Sequence, residues 1–256
     1  MKYPDDFINK IICGDCLKFM PSIPDKSIDM ILCDLPYGTT ACKWDTIIPF
    51  EPLWEQYKRI IKDNGAIVLT ASQPFTSALV MSNIKMFKYE WIWEKAVGSN
   101  FATLKYQPMK EHENILIFGK ETLKYNPQTQ ERKGSGKARS KYVYKSNTIS
   151  GDAVGNLKTN RSGEKYNENK RNPSSVQYFN NREKGRGKHP TQKPVALFEY
   201  FIKTYTNEGD LVLDNCAGSG TTGVACKNLK RNFIGIEISE KYCQIARERL
   251  RQEILL

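Results

Sequence analysis

The feature that most constrains the fold of this chain is an apolar run that passes directly into a glycine-rich turn. Leu211-Val212-Leu213-Asp214 is followed by Asn215-Cys216-Ala217-Gly218-Ser219-Gly220, after which a helix can begin. Glycine lets a backbone turn sharply and approach a ligand, and the N–H groups at a helix start face that ligand. A second apolar run ends at Glu237, 17 residues after Gly220, where a carboxylate can bind ribose hydroxyls.

Predicted strands and helices alternate on both sides of a long polar middle segment. Besides Leu211–Asp214 and Phe233–Glu237, strands are predicted at Lys10–Cys13, Ile28–Cys33, Ala66–Thr70, Glu90–Trp93 and Asn114–Phe118. Apolar residues at helical spacing predict helices from Leu53 to a stop at Gly65, and after Pro74, Pro194 and Ser239. Short apolar strands separated by helices indicate an α/β fold with a doubly wound, mostly parallel sheet.

Gly218, Gly220 and Gly223 also satisfy the G-x-G-x-x-G pattern of nicotinamide-linked oxidoreductases. We expect another function, because only one predicted helix follows Glu237 and no downstream strands complete a dinucleotide site.

All the excess positive charge of the chain lies in residues 120–188. The 256-residue chain has 39 lysine and arginine residues against 28 acidic residues, and this segment holds 17 and 6 of them. The remainder is therefore neutral overall. Each contacted phosphate releases counterions, so a basic segment on a neutral domain is typical of a polyanion-binding protein. A solvated polar insert is the alternative.

Neither a membrane span nor a metal site is predicted. The chain has no apolar run of about 18 residues and no signal-like start, so we expect a cytoplasmic protein. The pair Cys13-x-x-Cys16 has no second pair at similar spacing, which argues against a structural zinc site.

A second ligand-binding loop follows the strand Ile28–Cys33. Asp34-Leu35-Pro36-Tyr37 places a carboxylate, a proline and an aromatic ring at the carboxyl end of that strand, where doubly wound sheets bind ligands. The Asp34 carboxylate and the Pro36 carbonyl can each accept an N–H of an aromatic amine and so orient its lone pair. Tyr37 can stack on a base flipped out of a duplex.

Three motifs together resemble the β class of amino-group DNA methyltransferases, most closely its adenine-specific members. Asp34-Leu35-Pro36-Tyr37 is similar to the catalytic D-P-P-Y motif, and Asp214 to Thr222 is similar to the cofactor motif. His189-Pro190-Thr191-Gln192-Lys193-Pro194 resembles the H-P-T-x-K-P segment. The resemblance covers roughly residues 10–119 and 189–250. It implies a circularly permuted, seven-stranded Rossmann-like methyltransferase sheet.

The resemblance implies three functional parts: a catalytic half at 1–119, a basic target-recognition insert at 120–188 and a cofactor-binding half at 189–256. It implies that the target amine is held by Asp34, Pro36 and Tyr37. It implies S-adenosylmethionine as cofactor, bound by Asp15, Asp34, Lys193, Asp214, Cys216, Gly218, Ser219, Gly220, Thr221 and Glu237. Within that set, Lys193 would lie near the cofactor's carboxylate, Glu237 at its ribose and Asp15 near its adenine.

Two positions depart from the family pattern. Leu35 replaces the first proline of the catalytic motif, and we expect this change to be tolerated because that side chain is not a catalytic group. Cys216 replaces a phenylalanine that packs against the cofactor, and we expect this change to weaken binding without abolishing it.

The predicted reaction is direct in-line methyl transfer to adenine N6 in double-stranded DNA. N4-methylation of cytosine is the alternative, because the same loop can hold either amine. Glutamine methylation in a protein and a non-catalytic nucleic-acid-binding protein on a vestigial cofactor fold are further alternatives. The resemblance also implies a homodimer. A solitary methyltransferase and one paired with a cognate restriction endonuclease are both open.

Overall fold

The computed structural model describes residues 2–39, 45–132, 148–151, 155–158, 169–182 and 192–251. The chain divides into two compact units, the first formed by Met1–Asn126 with Ser175–Leu256 and the second by Pro127–Ser174.

The first unit contains a sheet with helices on both faces. Its strands are β1 (Lys10–Cys13), β2 (Ile28–Asp34), β3 (Ile61–Ala71), β4 (Phe87–Ser99), β5 (Lys110–Phe118), β10 (Val176–Phe179), β11 (Leu211–Asp214) and β12 (Asn232–Glu237). Its α-helices are α1 (Cys16–Phe19), α2 (Phe50–Ile60), α3 (Phe75–Ser82), α4 (Val195–Tyr205), α5 (Thr221–Asn228) and α6 (Glu240–Arg251).

The eight strands lie in the order β1-β12-β11-β2-β3-β5-β4-β10. Among these described strands, only β5 runs antiparallel to its two neighbours, β3 and β4. The predicted α/β class and mostly parallel sheet are confirmed. Strand β2 precedes β11 in the chain but lies beside it, which is the order that the predicted permutation requires. The sheet has eight strands rather than seven, because β10 pairs with β4 at the edge.

Alternating side chains of β2 supply both cores. Ile31 and Cys33 belong to the cluster that contains buried residues of α2 and α3. Met30 and Leu32 belong to the cluster beneath α4, α5 and α6. Burial on both faces explains why β2 is a continuous apolar run rather than an alternating pattern.

The predicted role of Gly65 as a helix stop is wrong. Helix α2 ends at Ile60, and Gly65 lies inside β3. A Cβ atom at Gly65 would lie 2.8 Å from the carbonyl oxygen of Asp29, so the glycine permits close approach of the two strands.

The second unit contains two antiparallel strand pairs. The strands β6 (Gln130–Glu131) and β9 (Lys170–Arg171) form one pair, and β7 (Thr148–Gly151) and β8 (Gly155–Lys158) form the other. This unit is shorter than the predicted insert at 120–188. The backbone N–H groups of Lys124 and Asn126 donate to Asn64 and Thr204, which ties the start of the predicted insert to the first unit.

Within the described part of the chain, no helix is long and apolar enough to cross a membrane. Among those same residues, no group of three or more His, Cys, Asp or Glu side chains could hold a metal ion.

Candidate active site

A cavity of about 600 Å³ opens where β1, β2, β11 and β12 end. The carboxyl ends of parallel strands meet at one edge of a sheet, which gathers loops distant in sequence. Among the residues that line this cavity are all three predicted catalytic residues, Asp34, Pro36 and Tyr37. Nine of the ten predicted cofactor residues also line it, namely Asp15, Asp34, Lys193, Asp214, Cys216, Gly218, Ser219, Thr221 and Glu237.

Gly220 is the predicted cofactor residue that does not line the cavity. It precedes α5 with φ +80°, a left-handed conformation that favours glycine. A Cβ atom there would lie 3.0 Å from the Cβ of Ala246 in α6. Gly220 therefore shapes the turn and allows α6 to pack, whereas Gly218, at φ +51°, forms the part of the turn that faces the cavity.

The buried Asp214 carboxylate holds the turn together. Its Oδ1 accepts a hydrogen bond from the Cys216 N–H at 3.1 Å, and its Oδ2 accepts one from the Thr222 hydroxyl. Burial raises the pKa of Asp214 to about 7, because an ionised carboxylate loses hydration there.

Glu237 also lines the cavity, and backbone N–H groups donate to both of its carboxylate oxygens. Gly218 N–H donates to Oε2 at 2.8 Å, and Ser239 N–H donates to Oε1 at 2.8 Å. Burial raises the pKa of Glu237. Each carboxylate oxygen can accept a second hydrogen bond, so this residue can still bind two ligand hydroxyls.

The side chains of Ser219 and Thr221 hold the segment that carries Lys193. Ser219 Oγ donates to Gln192 Oε1 at 3.0 Å, and Thr221 Oγ1 donates to the Lys193 carbonyl at 3.4 Å. Arg249 Nη1 donates to the Ser219 carbonyl at 3.2 Å. The first two contacts hold Gln192 and Lys193 against the glycine-rich turn.

Asp15 and Cys216 occupy the side of the cavity near α1. Asp15 Oδ1 accepts the Leu17 N–H at 2.9 Å and so caps α1. Cys216 packs against the core cluster that contains Cys16. Asn215 Nδ2 approaches the sulfur atoms of Cys16 and Cys216 at 3.6 and 3.7 Å.

The Asp34 carboxylate already has protein partners on both oxygens. Its Oδ1 accepts the Tyr37 hydroxyl at 2.9 Å and also the Thr70 hydroxyl. Its Oδ2 accepts Lys193 Nζ at 2.6 Å. The predicted position of Lys193 beside the cofactor carboxylate stays a prediction, because here the ammonium is bound to Asp34.

The Tyr37 ring has two neighbours that the predicted base stacking did not include, namely Lys193 Nζ at 5.7 Å from the ring centroid and the Phe75 ring. It stacks on Phe75 with ring centroids 5.1 Å apart and an interplanar angle of 24°, so base stacking can use only its other face. Burial raises the pKa of Tyr37 well above its usual value. The phenol therefore stays protonated and can donate to Asp34.

The sequence did not indicate Asp45, which fixes the backbone that follows Asp34-Leu35-Pro36-Tyr37. Its two carboxylate oxygens accept the N–H groups of Gly38 and Thr39, both at 2.9 Å. Asp45 lies after the catalytic motif in a stretch without helical or strand periodicity, so no local pattern indicated its role.

Sequence reasoning also missed two charged residues of the cavity wall, Lys95 and Glu113. Lys193 Nζ lies 3.5 Å from Glu113 Oε2, and Lys95 Nζ lies 3.3 Å from Glu113 Oε1. Burial lowers the pKa of Lys193, but the Asp34 and Glu113 carboxylates outweigh burial and raise it overall. Lys193 is therefore a cation in this site.

The two histidines contribute no described contact to the cavity. His112 is exposed on β5. His189, Pro190 and Thr191 of the H-P-T-x-K-P segment lie outside the described residues.

Comparisons with known proteins agree with this geometry. The family of N6 and N4 methyltransferases, described as DNA methylase, matches residues 28–248. The type II methyltransferase M.HpaI of Haemophilus parainfluenzae is 31% identical over 260 residues, covering 95% of this chain and 74% of that protein. The DNA adenine methyltransferase YhdJ of Escherichia coli (strain K12) is 29% identical over 271 residues, covering 94% and 82%.

Among solved structures, the M1.HpyAVI–SAM complex superposes with a TM-score of 0.62 at 26% sequence identity. The match covers 95% of this chain and 99% of that one.

Proposed function

This chain belongs to the DNA methylase family of N6 and N4 methyltransferases, and from that premise we propose that it methylates adenine N6 at specific sites in DNA. The observation that carries this proposal is the shared cavity. Asp34 and Pro36 of the catalytic loop line the same cavity as the glycine turn and Glu237, so an amine and a methyl donor can meet there.

S-adenosylmethionine is the cofactor, and the residues present fit it. Gly218 has no side chain, so a ligand can approach the backbone of the turn closely. Glu237 keeps lone pairs that can accept two ribose hydroxyls. When bound, S-adenosylmethionine supplies a methyl group activated by its sulfonium. We assign the methionine part to the turn and the adenine to the side of Asp15.

The catalytic loop would orient the target amine for in-line attack. Asp34 and the Pro36 carbonyl accept its two N–H bonds, which directs the nitrogen lone pair toward the methyl group. The Asp34 carboxylate also stabilises positive charge that develops on the nitrogen. Tyr37 and Thr70 fix the Asp34 carboxylate by donating to its Oδ1.

Adenine is favoured over cytosine because the loop begins with aspartate, Asp34, which is typical of the adenine-specific members. The relative YhdJ is named a DNA adenine methyltransferase. N4-methylation of cytosine is the second candidate, since the same acceptors can hold its amine.

The partners follow from the reaction. DNA is the substrate, and we assign target recognition to the basic residues 120–188, which hold 17 lysine and arginine residues. A homodimer and a cognate restriction endonuclease are further proposals, the second suggested by relatives named type II methyltransferases. A DNA substrate is also the basis for proposing a cytoplasmic location.

The test uses methyl-labelled S-adenosylmethionine and DNA of diverse sequence, followed by digestion and mass spectrometry of the nucleosides. Label in N6-methyladenosine is expected with the wild-type chain, and it should vanish in Asp34→Ala but persist in Asp5→Ala, which changes an exposed aspartate. Label in N4-methylcytidine would move the target to cytosine. Cofactor binding without any labelled nucleoside would contradict the proposal.

A further inference from the structure

Four buried or half-buried charged side chains form an alternating row along the cavity wall. Asp34, Lys193, Glu113 and Lys95 follow one another, with N···O distances of 2.6, 3.5 and 3.3 Å. The row joins β2, the segment before α4, β5 and β4. Only Asp34 belongs to the catalytic motif.

Glu113 is the unusual member because one of its oxygens accepts no hydrogen bond. Oε1 pairs with Lys95, but Oε2 is shielded from solvent and has no hydrogen-bond partner among the described residues. A buried acceptor without a hydrogen-bond donor is unfavourable. Lys193 Nζ forms an ion pair with this oxygen at 3.5 Å and a hydrogen bond with Asp34 Oδ2 at 2.6 Å.

Lys193 in this position hinders the reaction that Asp34 performs. Oδ1 of Asp34 already accepts two hydroxyls, so the amine must use Oδ2, where the ammonium occupies one of the two lone pairs. An ammonium at that oxygen also offsets the negative charge that stabilises a developing cation on the amine. A shift of roughly 1 Å would bring Lys193 Nζ to hydrogen-bond distance of Glu113 Oε2.

We propose that Glu113 is a positioning residue that receives the Lys193 ammonium from Asp34 when the target amine enters. This inference rests on the proposed function. Lys95 Nζ holds Glu113 in place through Oε1 and is itself bonded to Ser99 Oγ at 3.3 Å. Moving the Lys193 ammonium from Asp34 to Glu113 leaves the net charge of the site unchanged. Oδ2 of Asp34 becomes accessible only when a target amine takes the place of the ammonium.

A simpler role for Glu113 would be to tie β4 to β5 through Lys95. The two roles differ in their dependence on Lys193. A tie between strands acts without Lys193, whereas an acceptor for Lys193 has no function once that ammonium is gone.

The test is a double-mutant cycle of Glu113→Gln and Lys193→Met, measured as the rate of a single turnover with saturating cofactor and DNA. Glu113→Gln alone should lower this rate roughly tenfold or more while the cofactor dissociation constant changes by less than about twofold. In the Lys193→Met background the same change should alter the rate by less than about twofold. Equal losses in both backgrounds, or no loss in either, would overturn the inference.

The pH dependence gives a second readout, which serves even where Lys193→Met abolishes turnover. In Glu113→Gln, Asp34 is freed only when Lys193 loses its proton, so the rate should rise steadily between about pH 7.5 and 9.5. The wild type should be nearly flat over that range, and equal slopes in both would contradict the inference. Glu94→Gln, at an exposed position on β4, is the matched control. Wild-type DNA methylation in the same assay separates failure of this inference from failure of the proposed function.

Discussion

The carboxyl groups in this site differ in which protein groups donate hydrogen bonds to them. Asp214 is buried and bonded to Cys216 and Thr222, so it acts on the shape of the turn. Glu237 is held by two backbone donors but retains acceptor capacity. Asp34 is bonded to two hydroxyls and to the Lys193 ammonium. Three acids that look equivalent in the sequence are therefore suited to shaping a turn, binding hydroxyls and accepting an amine.

At the residue scale, the raised pKa of Asp214 predicts that the difference in free energy of unfolding between wild type and Asp214→Asn depends on pH. Its pKa is about 7 in the folded chain, well above the ordinary aspartate value of about 3.9, so the folded state holds the proton more tightly. The contribution of Asp214 to the free energy of unfolding therefore falls as pH rises from about 4 to 7, by up to about 4 kcal/mol. Asp214→Asn lacks this titration, so its stability relative to wild type should increase over that range. Urea unfolding of both proteins at the two pH values measures it, and a constant difference would contradict it.

At the scale of elements, the start of α5 depends on one backbone conformation. Gly220 adopts φ +80° and lies against Ala246 of α6. The turn, α5 and α6 are therefore coupled through a position that cannot carry a side chain without strain. The cavity-lining residues Gly218 and Ser219 lie in this turn, so we expect its geometry to control the binding of cofactor.

Gly220→Ala should destabilise the chain by about 1–2 kcal/mol from the left-handed φ alone, and by more because of Ala246. The matched control is Gly209→Ala, since Gly209 has φ +83° but no atom within 4 Å of the point where a Cβ would lie. Thermal unfolding should show the larger loss for Gly220→Ala, and calorimetry should show weaker cofactor binding for that variant alone. Equal losses of stability would show that contact with α6 contributes nothing.

At the scale of the whole molecule, the excess positive charge is confined to one segment of the sequence, residues 120–188. The first unit contains the described cavity, while the basic segment 120–188 includes the second unit, Pro127–Ser174. Phosphate contacts position a DNA-binding protein without reading sequence. The basic segment should therefore contribute a salt-dependent share of DNA affinity.

Replacing Lys170 and Arg171, both exposed on β9, by alanine should weaken DNA binding. The slope of log K for DNA binding against log salt concentration should become less steep by about 1–2. The control Lys85→Ala changes an exposed lysine of the first unit. Fluorescence anisotropy across a range of salt concentrations measures the slopes. An unchanged slope in the double variant would place the phosphate contacts elsewhere.

The sequence by itself determined the local elements and the two ligand-binding loops. Strands β1 and β11 have the predicted bounds, because each has buried apolar residues at its centre that mark it in the sequence. The turn at Gly218 and the loop at Asp34 carry their chemistry within a few residues, so they could be identified without knowing the fold. Strand β10 was missed because Gln177 is the buried one of its four residues while Val176 and Tyr178 are exposed, so it contains no buried apolar run.

Only the tertiary structure decided which polar groups meet. Lys193 reaches Asp34 across 159 positions of sequence, and Glu113 joins them because β5 lies beside β3 in the sheet. Periodicity reports whether a position faces a core, but it contains no information on strand order. The ion pairs at the strand ends depend on that order, and they determine which oxygen of Asp34 is available to an amine.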